Sequence, residues 1–216
     1  MTDKEVLYLI ITELTEPTLG TTGQYLEIHQ PVYENGILKI DRIDREGNDG
    51  YIIAYLPVKN EYFHFAVYIN ESAKEVTGFD TESRNIVSLC ITSENLMLSE
   101  LPLLKTIQPA RRWNKNDLRP NKRATYNYTF IEYEPNPEPD EFEDKLLKLL
   151  KTLSKEGEVL QTLITTADAY VRVVMDFHRG NQMLGAASVN MDCLTMLTEL
   201  KLPIHFEFAA WGNPFK

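Results

Sequence analysis

The sequence predicts an α+β fold: an N-terminal β-rich antiparallel sheet, then an α+β unit with helices packed on one face of a mixed or antiparallel sheet. Three observations predict it. Residues 6–69 hold runs of Val, Ile, Tyr and Phe separated by glycine- and asparagine-rich turns. Residues 142–153 carry one apolar stripe at helical spacing. Alternating apolar and polar residues return at 170–178 and 204–208, with a short capped helix between them. The expected division is a β-rich region over 1–85 and an α+β domain over 86–216.

In chain order, strands are expected at 6–14, 25–32, 51–56 and 61–69, and no helical period stands out among them. The turns are Gly20-Thr21-Thr22-Gly23, Asn35-Gly36, Gly47-Asn48-Asp49-Gly50 and Lys59-Asn60. In the fourth strand Phe63, Phe65, Val67 and Ile69 share one face, with His64 and Tyr68 on the other. The next strand is 86–91, after which Thr92-Ser93-Glu94 offers a cap for a helix through Leu96, Leu98 and Leu101. An irregular stretch bracketed by Pro102 and Pro109 leads to a strand at 126–133, and Pro135, Pro137 and Pro139 stiffen the connection after it.

Asp140 is placed to cap a helix, with Glu143 in capping-box position. Phe142, Leu146, Leu149, Leu150 and Leu153 form its apolar stripe; Lys145, Lys148, Lys151 and Lys155 load the other face and the last turns. Gly157 is expected to end it, and 159–164 is ambiguous between helix and strand. In the strand 170–178, Val171, Val173, Met175 and Phe177 point inward and Arg172, Asp176 and His178 outward. A turn containing Gly180 and Gly185 precedes Asn190, which caps a helix bearing Leu194, Leu197 and Leu200. The last strand puts Ile204, Phe206 and Phe208 in, His205 and Glu207 out.

The 216-residue chain has a formal charge of −10, which disfavours nucleic acid binding through its whole surface, because that binding rests on neutralising phosphates. Charge is unevenly placed: residues 1–85 hold 7 basic and 15 acidic groups, so a cationic partner would meet them most readily. Residues 105–123 reverse this, with Lys105, Arg111, Arg112, Lys115, Arg119, Lys122 and Arg123 around a lone Asp117; an acidic stretch, 132–144, comes next. The start of the chain lacks a charged, apolar leader, and the apolar run at 6–11 is too short to span a bilayer, so no membrane partner and a cytoplasmic location are expected. Cys90 and Cys193 are too few for a disulfide framework and fit reduced thiols.

Val87-Ser88-Leu89-Cys90-Ile91-Thr92-Ser93-Glu94-Asn95-Leu96 resembles the opening strand and helix start of a bacterial family known as domain of unknown function 4279. Gln108-Pro109-Ala110-Arg111-Arg112-Trp113-Asn114-Lys115-Asn116-Asp117 resembles its proline-led segment, which ends in Lys-Gly-Asp. The layout of 185–211 is similar too, and the resemblance covers about 86–216. Asn116 stands where the family has glycine, an exchange that a left-handed backbone tolerates. The resemblance implies no particular activity.

Arg111, Arg112, Trp113, Lys115 and Asp117 form the candidate binding site: three cations for an anion or an acidic partner, an indole for contact area. The plainer alternative makes Trp113 a core plug and Asp117 a turn closure. His29, His64, His178 and His205 show no metal-ligand spacing, so neither a metal nor a cofactor is expected. His178 and His205 are in phase with Asp176 and Glu207, and neighbouring strands would allow a carboxylate–histidine pair of the kind a general base needs. Phosphate-binding, dinucleotide, zinc-protease and serine-elbow motifs are all absent. The leading expectation is therefore a non-enzymatic cytoplasmic protein-interaction module, an immunity-type protein that neutralises a toxin being one form. The alternatives are an enzyme with a carboxylate–histidine site, and a binder of an anion, nucleotide or nucleic acid through loop 105–123.

Overall fold

A computed structural model of the protein describes residues 1–46, 50–180 and 187–215. The expected turns at Gly47-Asn48-Asp49 and at Gly185 lie outside the described residues. The chain divides into two compact units: Met1–Arg84 with Met175–Ala186 and Phe208–Lys216, and Asn85–Val174 with Ala187–Glu207.

The N-terminal expectation is corrected at once, because the chain opens with two helices, α1 (Asp3–Thr15) and α2 (Gly20–Leu26), ahead of any sheet. Thr2 and Glu5 form a capping box: the Thr2 hydroxyl accepts from the Glu5 N–H, and the Glu5 carboxylate accepts from the Thr2 N–H at 2.8 Å. Val6, Ile10 and Glu13, at helical spacing, are its buried residues. The apolar run 6–11 resembles a strand because residues on both sides of the helix are apolar; Tyr8 and Ile11 are exposed. The Glu13 carboxylate ties the two helices together, accepting from the Thr18 and Leu19 N–H groups and the Thr18 and Thr22 hydroxyls. Burial pushes this carboxyl's pKa up, but those hydrogen bonds outweigh it and the net shift is downward.

A two-stranded pair, β1 (Tyr33–Glu34) and β2 (Ile37–Leu38), precedes a four-stranded sheet in the order β3 (Arg42–Asp44), β4 (Tyr51–Pro57), β5 (His64–Asn70), β6 (Glu75–Glu82), antiparallel throughout. The last of these strands has no counterpart among the expected elements. Ile52, Ala54 and Leu56 alternate with Phe65, Val67 and Ile69 to present one face to Val6, Ile10, Tyr25, Phe63 and Phe79, the core of this unit. Ile53, Tyr55 and Ala66 pack on the opposite face, so the middle strands are buried on both sides.

The second sheet has the order β11 (Ile204–Trp211), β10 (Asp168–His178), β7 (Arg84–Ser93), β9 (Thr129–Tyr133), β8 (Arg111–Trp113). The helices of the second unit are α3 (Phe142–Leu153), α4 (Gly157–Thr166) and α5 (Met191–Leu200). The stripe Phe142, Leu146, Leu149, Leu150 and Leu153 is fully buried, each side chain contributing about 1.5–3 kcal/mol. Asp140 is buried one residue before the N-cap of α3, which is Glu141: its carboxylate accepts from the Asn136 amide and from Lys148, both at 2.7 Å, and from the Glu141 N–H at 3.1 Å. Lys145, placed on the solvent face by periodicity, is buried and donates to the Asn136 carbonyl. Gly157 opens α4 instead of closing α3, and the helix expected at 96–101 shrinks to one 3₁₀ turn, Leu98–Glu100. Asn190 does cap α5, accepting from the Cys193 N–H at 2.9 Å.

Candidate functional site

Strands β8 and β9 form an antiparallel pair with Arg111 opposite Glu132, Arg112 opposite Ile131 and Trp113 opposite Phe130. The chain between them projects as a hairpin arm whose residues 116–125 are all exposed. Asn116 has φ +70°, the left-handed conformation that an asparagine in a glycine position requires. Asp117 folds back so that its carboxylate accepts from the Asn114 N–H at 2.7 Å, the turn-closing role.

The five candidate residues of this segment meet different fates. Arg111 pairs with Glu132, a buried carboxylate that also accepts from the Ser88 hydroxyl at 3.0 Å. Its charge is thus partnered within the molecule through Nε, while the side chain itself stays more than half exposed. Trp113 is half-buried and stacks on Tyr126 (4.4 Å) and Phe130 (4.3 Å) at small interplanar angles, so it stiffens the base of the arm. Lys115 donates to the Glu94 carbonyl at 2.8 Å. Arg112 is exposed and lacks a carboxylate partner among the described residues, as do Lys122 and Arg123 at the tip. Arg119 lies over the Tyr126 ring at 5.2 Å.

The carboxylate–histidine expectation meets a different arrangement. β10 and β11 are indeed neighbours, yet Glu207 takes a two-pronged hydrogen bond from Arg172, both prongs 2.7 Å. Asp176 accepts from the Trp211 indole N–H at 2.8 Å and lies 3.4 Å from the Arg84 guanidinium. His205 stacks on Tyr170 at 4.6 Å. His178, expected to face outward, is buried, because both faces of this end of β10 are covered inside the first unit.

There it meets His29, a residue that no local pattern singles out. The two Nε2 atoms are 2.9 Å apart, and the Asn213 carbonyl oxygen lies 2.9 Å from His178 Nε2. Phe63, Tyr25 and Phe215 surround the rings edge-on. Burial lowers the pKa of both imidazoles, so the pair is neutral at neutral pH. Gly212 makes the approach possible: at φ +84° a side chain would be strained, and a Cβ would sit 2.9 Å from both the His29 and Phe63 rings. His29 also lines an open cleft of about 330 Å³ with Glu27, Lys59, Asn60, Glu61 and Asn213, and Glu61 Oε1 is 3.9 Å from His29 Nδ1.

The cysteines serve packing. Burial pushes the Cys90 thiol up to about 11 and raises that of Cys193, the reverse of what a nucleophile needs. Among the described residues no cluster of three or more His, Cys, Asp and Glu side chains could hold a metal ion, and no helix is long and apolar enough to cross a membrane.

No curated protein and no solved structure matches the chain. A family model does, over residues 81–211, a span holding the second sheet and the hairpin arm. With more than half of its length matched, the chain belongs to the family described as domain of unknown function DUF4279.

Proposed function

We propose that the protein is a non-enzymatic interaction module that engages an anionic surface of another protein through the hairpin arm 111–133. The observation that carries this reading is the set of exposed cations Arg112, Lys122 and Arg123, without carboxylate partners among the described residues, on a chain of net charge −10. Uncompensated positive charge on a projecting element steers encounter with an acidic partner and sets its orientation. The stack of Tyr126, Trp113 and Phe130 supports the arm from below, so its charges are presented on a stiff base. The chain's overall acidity favours a protein partner over nucleic acid. A toxin neutralised by this contact, the immunity-type role, is one instance of the class. Against the enzyme alternative weighs the engagement of Asp176, His178, His205 and Glu207 in contacts of their own.

The test is retention of a stoichiometric protein partner by the full-length chain purified from its own host. A triple variant, R112E with K122E and R123E, should fold as the wild type and weaken that complex at least about tenfold, because charge reversal replaces attraction with repulsion. Undiminished binding by the folded triple variant would remove the arm from the interface.

A further inference from the structure

We infer that the first unit holds a divalent transition-metal site built from His29 Nε2, His178 Nε2 and the main-chain carbonyl of Asn213. Three lone-pair donors converge there. The two nitrogens are 2.9 Å apart, the carbonyl is 2.9 Å from His178 Nε2, and the same carbonyl lies within hydrogen-bonding reach of the His29 ring. The protons can be placed. A carbonyl only accepts, so one ring must donate to it; a proton held on His29 Nδ1 beside Glu61 makes that ring His178, through Nε2, and leaves His29 Nε2 a lone pair. Glu61, 3.9 Å from His29 Nδ1, favours a proton on that other nitrogen.

Metal binding needs one proton to move. The proton of His178 Nε2 transfers to Nδ1 of the same ring, a buried nitrogen without a hydrogen-bond partner among the described residues. The ring stays neutral, and both Nε2 lone pairs face the ion. Two nitrogens 2.9 Å apart, each about 2.05 Å from an ion, subtend roughly 90° at it, the angle of a tetragonal or octahedral site, whereas tetrahedral zinc needs a wider spread. Copper(II) and nickel(II) are thus the ions of best fit. The remaining coordination positions are left to water from the cleft of about 330 Å³ that His29 and Asn213 line. The glycines at 180 and 212 matter here as well, since a Cβ at either would lie 2.9 Å from Cε1 of one of the two ligand rings.

The experiment titrates the full-length protein with copper(II), nickel(II) and zinc(II) by calorimetry and records the electron paramagnetic resonance spectrum of the one-to-one copper complex. One equivalent of copper should bind more tightly than zinc, with a tetragonal spectrum showing two imidazole nitrogens. His29→Ala and His178→Ala should each abolish stoichiometric binding. Glu61→Gln, which leaves every ligand in place, should weaken it about tenfold. His64→Ala and His205→Ala should change nothing. The site is overturned by absence of stoichiometric binding to the wild type, by binding retained in either ligand variant, or by its loss in either control. Should the ligand variants fail to fold, the wild-type spectrum decides alone: fewer than two imidazole nitrogens overturns the proposal.

Discussion

Single side chains in this protein repeatedly find their partners inside the fold where charge or phase suggests solvent. Arg111 is the clearest case. Its charge reads as part of a docking patch, yet strand register puts it directly opposite Glu132, and a buried carboxylate demands a cation. Trp113→Ala should cost about 2–3 kcal/mol in urea denaturation, because it removes two stacked ring contacts and half-buried area. The His29–His178 pair makes stability depend on pH. Burial lowers both folded pKa values below the usual imidazole value of 6.5, so below that pH the unfolded chain binds more protons than the folded one. Stability should be complete above about pH 7 and fall as pH drops through about 6.5 until the folded pKa values are reached. Denaturation midpoints from about pH 7.5 to about pH 5 check this. His178→Asn, lacking one titrating ring, should show a flatter slope.

At the scale of elements, local signals suffice where one residue pattern has one solution. The α3 stripe and the Asn190 cap are of this kind, as is the left-handed position of Asn116. Asn190→Ala should cost about 1 kcal/mol in thermal or chemical unfolding by freeing the Cys193 N–H. The opening helices are hidden because two local signals conflict. Thr2 and Glu5 spell out a helix start, while the β-branched and aromatic content of 6–14 favours a strand, and the capping chemistry wins. Nothing local marks Glu13 as the clamp for α2, whose two glycines and two threonines form a helix poorly on their own. Glu13→Ala should therefore cost about 3 kcal/mol, a large loss for one side chain, since it strands four donors. Circular dichroism would show whether the helical signal of the first 26 residues goes with it.

For the whole molecule, charge distribution is the property with consequences beyond the fold. An acidic chain with one basic arm should bind its partner with an association rate that falls as salt rises from about 50 to about 300 mM, because screening shortens the reach of the arm's cations. A salt-independent association rate measured by stopped flow would place the contact elsewhere. Unit 1 gathers residues from three separated stretches of chain, so its histidine pair joins positions 149 residues apart.

Family membership, the amphipathic α3 and the net charge were all determined by the sequence alone, for each is a property of neighbouring residues or of composition; the alternation expected of the later strands fails where Asp176 and His178 are buried and Phe208 is exposed. The tertiary structure decided which polar residues keep their charge for solvent and which spend it internally, and it alone brought His29 to His178. The physical reason is that burial and ion pairing depend on what faces a side chain across space, and a neighbour across a sheet leaves no mark on local periodicity.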